Sequence, residues 1–174
     1  MQTKLFKLDE PGTIDLRIPF LKEGEEMEIV GFIDANKPGD YQVKVLADHV
    51  AKNTYGRILI KGVGRNGARI KIDGMVKVEK NASKTNSFLE MRVLLVDDSS
   101  TAVAEPKLEI ENNDVKASHA ATVGKIDEDQ IFYLKSRGLA EDEAREVIVE
   151  GFLKDIINKF HDDFKELASK INYV

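Results

Sequence analysis

The feature that most limits what this chain can become is a period-two alternation that keeps restarting through its first 125 residues. In residues 68–73, Ile70 and Ile72 fall on one side while Arg69, Lys71 and Asp73 fall on the other. That is the pattern of a strand with one buried face. Val76 and Val78 repeat it after Gly74, with Lys77 and Glu79 outward. Residues 28–33 are apolar with a β-branched bias, and residues 41–46 and 57–61 alternate or nearly do. The pattern returns at 88–96, at 107–111 and at 115–117. Turn-forming clusters separate these runs at 62–67, 81–86, 97–101 and 112–114, where Gly, Asn, Asp and Ser supply turn conformations. No helical period intervenes, so roughly eight or more short strands predict an all-β body. Sandwich, barrel and β-solenoid all satisfy that description. Even spacing and few two-residue hairpin signals tilt it toward a solenoid, whose stacked rungs bury aliphatic ladders and leave charges outside.

The character changes near Ile126. All four prolines (Pro11, Pro19, Pro38, Pro106) precede it, and the remainder carries most of the negative excess. The expected division is a β body over 1–125 and a helical segment over 126–174. Asp127 with Gln130 reads as a capping box, opening a helix that carries Ile131, Phe132 and Leu134 and stops at Gly138. A longer helix comes next, with Ala144, Val147, Ile148, Gly151, Phe152, Ile156 and Phe160 stepping by three and four along one stripe. Phe164, Leu167 and Ile171 extend the stripe after a break near His161. Such a stripe must be buried, against the β body or against a partner protein.

Composition narrows the function. The chain has 174 residues, 26 Lys+Arg against 31 Asp+Glu, and no cysteine. An acidic chain lacks the basic footprint of a nucleic-acid binder. No apolar run is long enough for a membrane span and no signal-peptide core comes after Met1, so a soluble, cytoplasmic protein is expected. Disulfides, zinc ribbons and thiolate ligation of iron by this chain alone are excluded. Gly62-Val63-Gly64-Arg65-Asn66-Gly67 matches G-x-G-x-x-G, but residues 68–79 behind it are strand-like, so the phosphate-binding reading fails and a turn is expected. Ser118 and His119 are adjacent in a strand and face opposite ways, so they form no nucleophile–base pair. His49, His119 and His161 lack metal-ligand spacing. His119 shares parity with Val115, Ala117, Ala121 and Val123, where the default is a satisfied, partly buried ring.

One stretch is more specific. Ala104-Glu105-Pro106-Lys107-Leu108-Glu109-Ile110, then Asp114-Val115-Lys116-Ala117-Ser118-His119-Ala120-Ala121-Thr122-Val123-Gly124, then Phe132-Tyr133-Leu134-Lys135-Ser136-Arg137-Gly138 closely resemble the C-terminal signature of the SufB/SufD family of iron–sulfur cluster assembly scaffolds. The SufD branch fits better than SufB. The likeness begins near Asp48-His49, runs through Asp73-Gly74 and Lys84-Thr85, and ends near Gly151-Phe152.

The resemblance implies a right-handed parallel β-helix with a C-terminal helical segment, and a scaffold rather than an enzyme. It implies a SufC-type ABC ATPase docked on the C-terminal helices, where Val147, Ile148, Phe152 and Ile156 are the candidate contacts. It also implies a dimer through the last β-helix strands, with a SufB-like chain or a second copy. His119 is the implied cluster-assembly residue and the candidate metal ligand at that dimer end. Two departures stand out: Ala117 occupies the usual cysteine of V-K-C-S-H, and Ala120 stands after the histidine where SufB proteins tend to carry Glu. No cluster is then expected to be held stably by this chain alone, although a transient one in a complex is. The competing readings are a β-solenoid enzyme and a purely structural ATPase partner without a metal role.

Overall fold

The computed structural model describes residues 1–157 and 159; the expected continuation of the stripe at Phe160, Phe164, Leu167 and Ile171, and the break near His161, lie outside them. Nine strands precede two helices: β1 (Gln2–Leu8), β2 (Gly12–Phe20), β3 (Glu26–Ala35), β4 (Gly39–His49), β5 (Tyr55–Gly64), β6 (Ala68–Val78), β7 (Asn86–Leu95), β8 (Thr101–Ile110), β9 (Lys116–Lys125), α1 (Glu128–Ser136) and α2 (Glu141–Ile157). Odd strands form a sheet in the order β1-β3-β5-β7-β9 and even strands a sheet in the order β2-β4-β6-β8. All pairs are parallel. This is a β-solenoid of about four turns, which resolves the three-way choice left by the alternation. The chain divides into Met1–Ile126 and a second unit beginning at Asp127.

Register shows why the alternation recurs. Glu26 pairs with Tyr55, Tyr55 with Asn86, and Asn86 with Lys116, so like side chains stack once per turn. The interior columns are aliphatic, as in Ile29–Ile58–Leu89 and Val43–Ile72. Each such side chain, fully buried, contributes roughly 1.5–3 kcal/mol. Outward positions of the four-stranded sheet are charged and pair across rungs: Arg17 with Asp48 at 2.6 Å, Arg69 with Asp40 at 2.6 Å, Lys77 with Glu109 at 3.5 Å.

Several strand boundaries differ from the sequence expectation. Gly62 and Gly64 lie inside β5, and the turn is confined to Arg65–Asn66–Gly67. There Asn66 (φ 60°) and Gly67 (φ 78°) are left-handed, and Ala68 N–H donates to the Arg65 carbonyl. This primed two-residue turn usually closes a hairpin, yet here it passes the chain from one sheet to the other. Gly74 does not interrupt β6, because a Cβ there would lie 2.8 Å from Leu89 Cδ2 and 2.9 Å from Met91 Sδ. The glycine accommodates two large neighbours. At another corner Gly24, Asn53 and Lys84 stack with φ of 73°, 59° and 57°. Their N–H groups each donate to the next rung, to the Lys52, Ser83 and Asp114 carbonyls.

Pro19 and Pro106 occupy the two outermost strands of the four-stranded sheet. Val50 N–H donates to the Phe20 carbonyl and Glu111 N–H to the Val78 carbonyl. Counting by twos from these bonds, both proline nitrogens face away from the ladder, where the missing N–H breaks no bond in this sheet.

Candidate functional site

The last turn, β8 with β9, has no strand beyond it among the described residues. Lys116 N–H donates back to the Thr85 carbonyl and Ile126 N–H to the Leu95 carbonyl. The even positions of β9 therefore hydrogen-bond to β7, and the odd ones, Ala117, His119, Ala121 and Val123, aim their backbone groups at the open edge. Those odd positions also share the interior face. His119 pairs with Leu89 and tops the column Ile29–Ile58–Leu89, whose three aliphatic side chains are buried. Ala117 and Ala121 flank it, and Ser118 points the other way. Sequence parity thus places the imidazole on the right face, but the expected burial does not hold. His119 is exposed, and among the described residues no further turn covers it.

The neighbouring positions are apolar and incompletely buried. Ala102, Ala104 and Leu108 of β8 pack partly against the core, while Ile110 and Val123 remain 43% and 41% exposed. An imidazole on this rim can accept a proton or donate one nitrogen lone pair to a metal. It is a single imidazole. Among the described residues no group of three or more His, Asp or Glu side chains is placed to hold a metal ion. Thiolates are absent from the chain.

His49 shows the opposite environment. Its ring is fully buried and stacked on Phe20, with centroids 4.0 Å apart and planes at 14°. Nδ1 lies 2.8 Å from Thr54 Oγ1 and Nε2 lies 3.0 Å from Ser87 Oγ. Thr54 Oγ1 is in turn 3.0 Å from Thr85 Oγ1. Burial lowers its pKa to about 4, against a smaller opposing effect of the Asp48 charge. Both nitrogens are engaged, so His49 is structural.

In the helical unit Asp127 caps α1, accepting from Asp129 N–H, and Gly138 takes a left-handed φ of 100° just past its end. The buried side of α2 is Ala144, Val149, Leu153 and Ile156. Of the four candidate partner contacts, Val147 is exposed, Ile148 and Phe152 are half-buried, and Ile156 is fully buried. The apolar spacing alone did not separate these, because α2 carries apolar residues on more than one side. On α1, Ile131 is buried as an apolar helix residue should be, whereas Phe132 and Tyr133 are 75% and 55% exposed. The Arg137 guanidinium sits 5.2 Å from the Tyr133 ring centroid. No helix of the described residues is long and apolar enough to cross a membrane.

Residues 13–152 match the family described as SUF system FeS cluster assembly, SufBD core domain. Among curated proteins, the chain is 41% identical over 131 residues to an iron–sulfur cluster assembly SufBD family protein of Mycobacterium leprae, covering 75% of this chain and 15% of that protein. It is 40% identical over 111 residues to the iron–sulfur cluster assembly protein SufD of Bacillus subtilis, covering 64% of this chain and 25% of SufD. It is 38% identical over 106 residues to SufB of the same organism, covering 61% and 23%. The chain thus spans a quarter or less of the length of these relatives. The family match over most of the solenoid and into α2 makes this chain a member of the SufB/SufD family.

Proposed function

We propose that the chain is a non-enzymatic scaffold component of iron–sulfur cluster biogenesis, working with a SufC-type ABC ATPase and a second β-solenoid. The carrying observation is His119, raised by an aliphatic column to the uncovered rim of the last turn within the motif that resembles the family's assembly site. The second solenoid, a SufB-like chain or another copy, covers that rim. The nascent cluster is cargo there, with His119 as one ligand or proton acceptor and thiolates supplied by the partner. The ATPase docks on the helical unit. Val147 and the accessible parts of Ile148 and Phe152 face it, and Ile156 supports them from within the fold.

Substitution of His119 tests this reading. An exposed ring leaves little packing behind when removed, so His119→Ala should melt within a degree or two of the parent. Cluster delivery in a complementation assay should nevertheless fall at least tenfold. Unchanged melting together with full delivery removes His119 from the mechanism. Val147→Asp, on an exposed position, should weaken ATPase pull-down without unfolding the chain, and unaltered capture places the docking surface elsewhere.

A further inference from the structure

We infer that Asn66 is a site of spontaneous deamidation, and that the corner between β5 and β6 holds it in the amide form until that corner opens. Of the asparagines in the chain, only Asn66 is followed by glycine. Glycine has no side chain to keep its nitrogen away from the preceding residue. In the reaction the Gly67 nitrogen gives up its proton and attacks the carbonyl carbon of the Asn66 side chain. The new C–N bond closes a succinimide, and the side-chain nitrogen leaves as ammonia. Water then opens the ring at either carbonyl, which leaves aspartate or, with the backbone rerouted through the side chain, isoaspartate. Water is the only co-reactant, and Asn66 is exposed to it, so burial offers no protection.

Protection comes from the way the corner is tied. Asn66 and Gly67 both sit in the left-handed region, with φ of 60° and 78°. Asn66 must rotate its ψ out of that well before the next nitrogen reaches its side chain. Its side-chain nitrogen, the leaving group, donates to the Asn36 carbonyl at 2.9 Å, on the rung before. The attacking group is held from the rung after: Gly67 N–H donates at 3.2 Å to Oγ of the buried Ser100. Asn66 N–H donates to the Asp97 carboxylate at 2.5 Å, which sets a negative charge beside the nitrogen that must become an anion. Three successive corners thus clamp one side chain. Asp73-Gly74 is the contrasting case. It is open to the same ring closure with loss of water, but it lies within β6 and is paired on both sides, by β4 and β8. Conversion at Asn66 sets a new carboxylate against Asp97, and isoaspartate adds a backbone atom to a corner that keeps the rungs in register.

The test follows the full chain by peptide mapping with mass spectrometry during incubation at mildly alkaline pH. The protein in native buffer is compared with the same protein unfolded in urea, and circular dichroism confirms the state of each. In urea Asn66 should convert faster than any other asparagine. In the folded protein it should convert at least tenfold more slowly than in urea. Ser100→Ala removes the acceptor of the Gly67 N–H and should speed conversion in the folded protein at least threefold, with Asp73 unchanged. Should that variant fail to fold, the unaltered chain in urea below its unfolding midpoint supplies the reading. There Asn66 conversion should rise while Asp73 isomerisation stays at its folded rate. An Asn66 that converts no faster than other asparagines in urea overturns the site. Equal rates in the folded and unfolded protein overturn the clamp. Conversion unmoved by Ser100→Ala in a folded variant, or by urea below the midpoint, overturns the assignment to this corner.

Discussion

Acid titration of the buried His49 network offers a quantitative check on the solenoid interior. The ring is fully buried between Phe20 and the hydroxyls of Thr54 and Ser87, and its pKa is lowered to about 4. In the unfolded chain the same histidine titrates near 6.5. Because the folded pKa is the lower one, the unfolded state binds the extra proton between these values, and stability must fall as pH falls through that window. At about 1.36 kcal/mol per pH unit, the loss from pH 7 to pH 4 is roughly 3 kcal/mol. That is a large fraction of the roughly 5–15 kcal/mol by which domains are stable. Urea unfolding at half-unit steps from pH 7.5 to 4 measures it, with His49→Gln as the non-titrating reference. The reference is less stable at pH 7, since it loses the ring stack and disturbs both hydroxyl contacts. Its stability should nevertheless depend much less on pH, so the two curves converge toward pH 4. Asp40, Asp73 and Asp97, whose pKa values are lowered by their partners, stay ionised over most of this range. Parallel curves would refute the argument, because they would mean that His49 already titrates normally in the folded protein.

Three further substitutions probe the turns and packing. Lys84→Gly should stabilise the protein by about 0.5–1 kcal/mol in denaturant melts, since Lys84 alone among Gly24, Asn53 and Lys84 holds a left-handed φ without a residue suited to it. Gly74→Ala should destabilise by roughly 1–3 kcal/mol, read as a lower urea midpoint, because the new methyl meets Leu89 and Met91. Asp97 accepts from the Asn66, Ser99 and Ser100 N–H groups and from both serine hydroxyls. Partial burial raises its pKa, but these bonds together outweigh burial and hold it at about 2. Asp97→Ala should therefore cost about 2 kcal/mol at pH 7, a penalty that fades as pH drops from 3.8 toward 2, where the parent loses the same charge.

Much of the solenoid was legible because each interior column repeats a local alternation: Ile70 and Ile72 announce β6 whatever stacks above them. The partner of each strand was not, because neighbours in a sheet lie a full turn apart, as Tyr55 and Asn86 do, and no short window spans that distance. Glycine and proline were the local misdirections. Gly62 and Gly64 read as turn yet sit in β5, where packing decides. Pro19 discourages a strand in a run that alternates well from Ile14 to Phe20, and is tolerated only because its nitrogen faces away from the ladder. At the candidate site, parity put His119 on the interior face. Its exposure depends on β9 being the last strand among the described residues, a property of the whole stack. On α2 the spacing could not say that Ile156 is inside and Val147 outside, since burial there is decided by neighbours remote in sequence.

The central claim, that this chain is a cluster-assembly scaffold acting in a complex, is tested most directly by anaerobic affinity purification from the cell that makes it, with native mass spectrometry of the intact assembly. The account predicts an ABC ATPase subunit and a second β-solenoid chain bound at defined stoichiometry. Iron and sulfide should be present only in the assembly and lost when the chain is isolated. A chain recovered without an ATPase, or an isolated chain that retains a cluster through desalting, would contradict it.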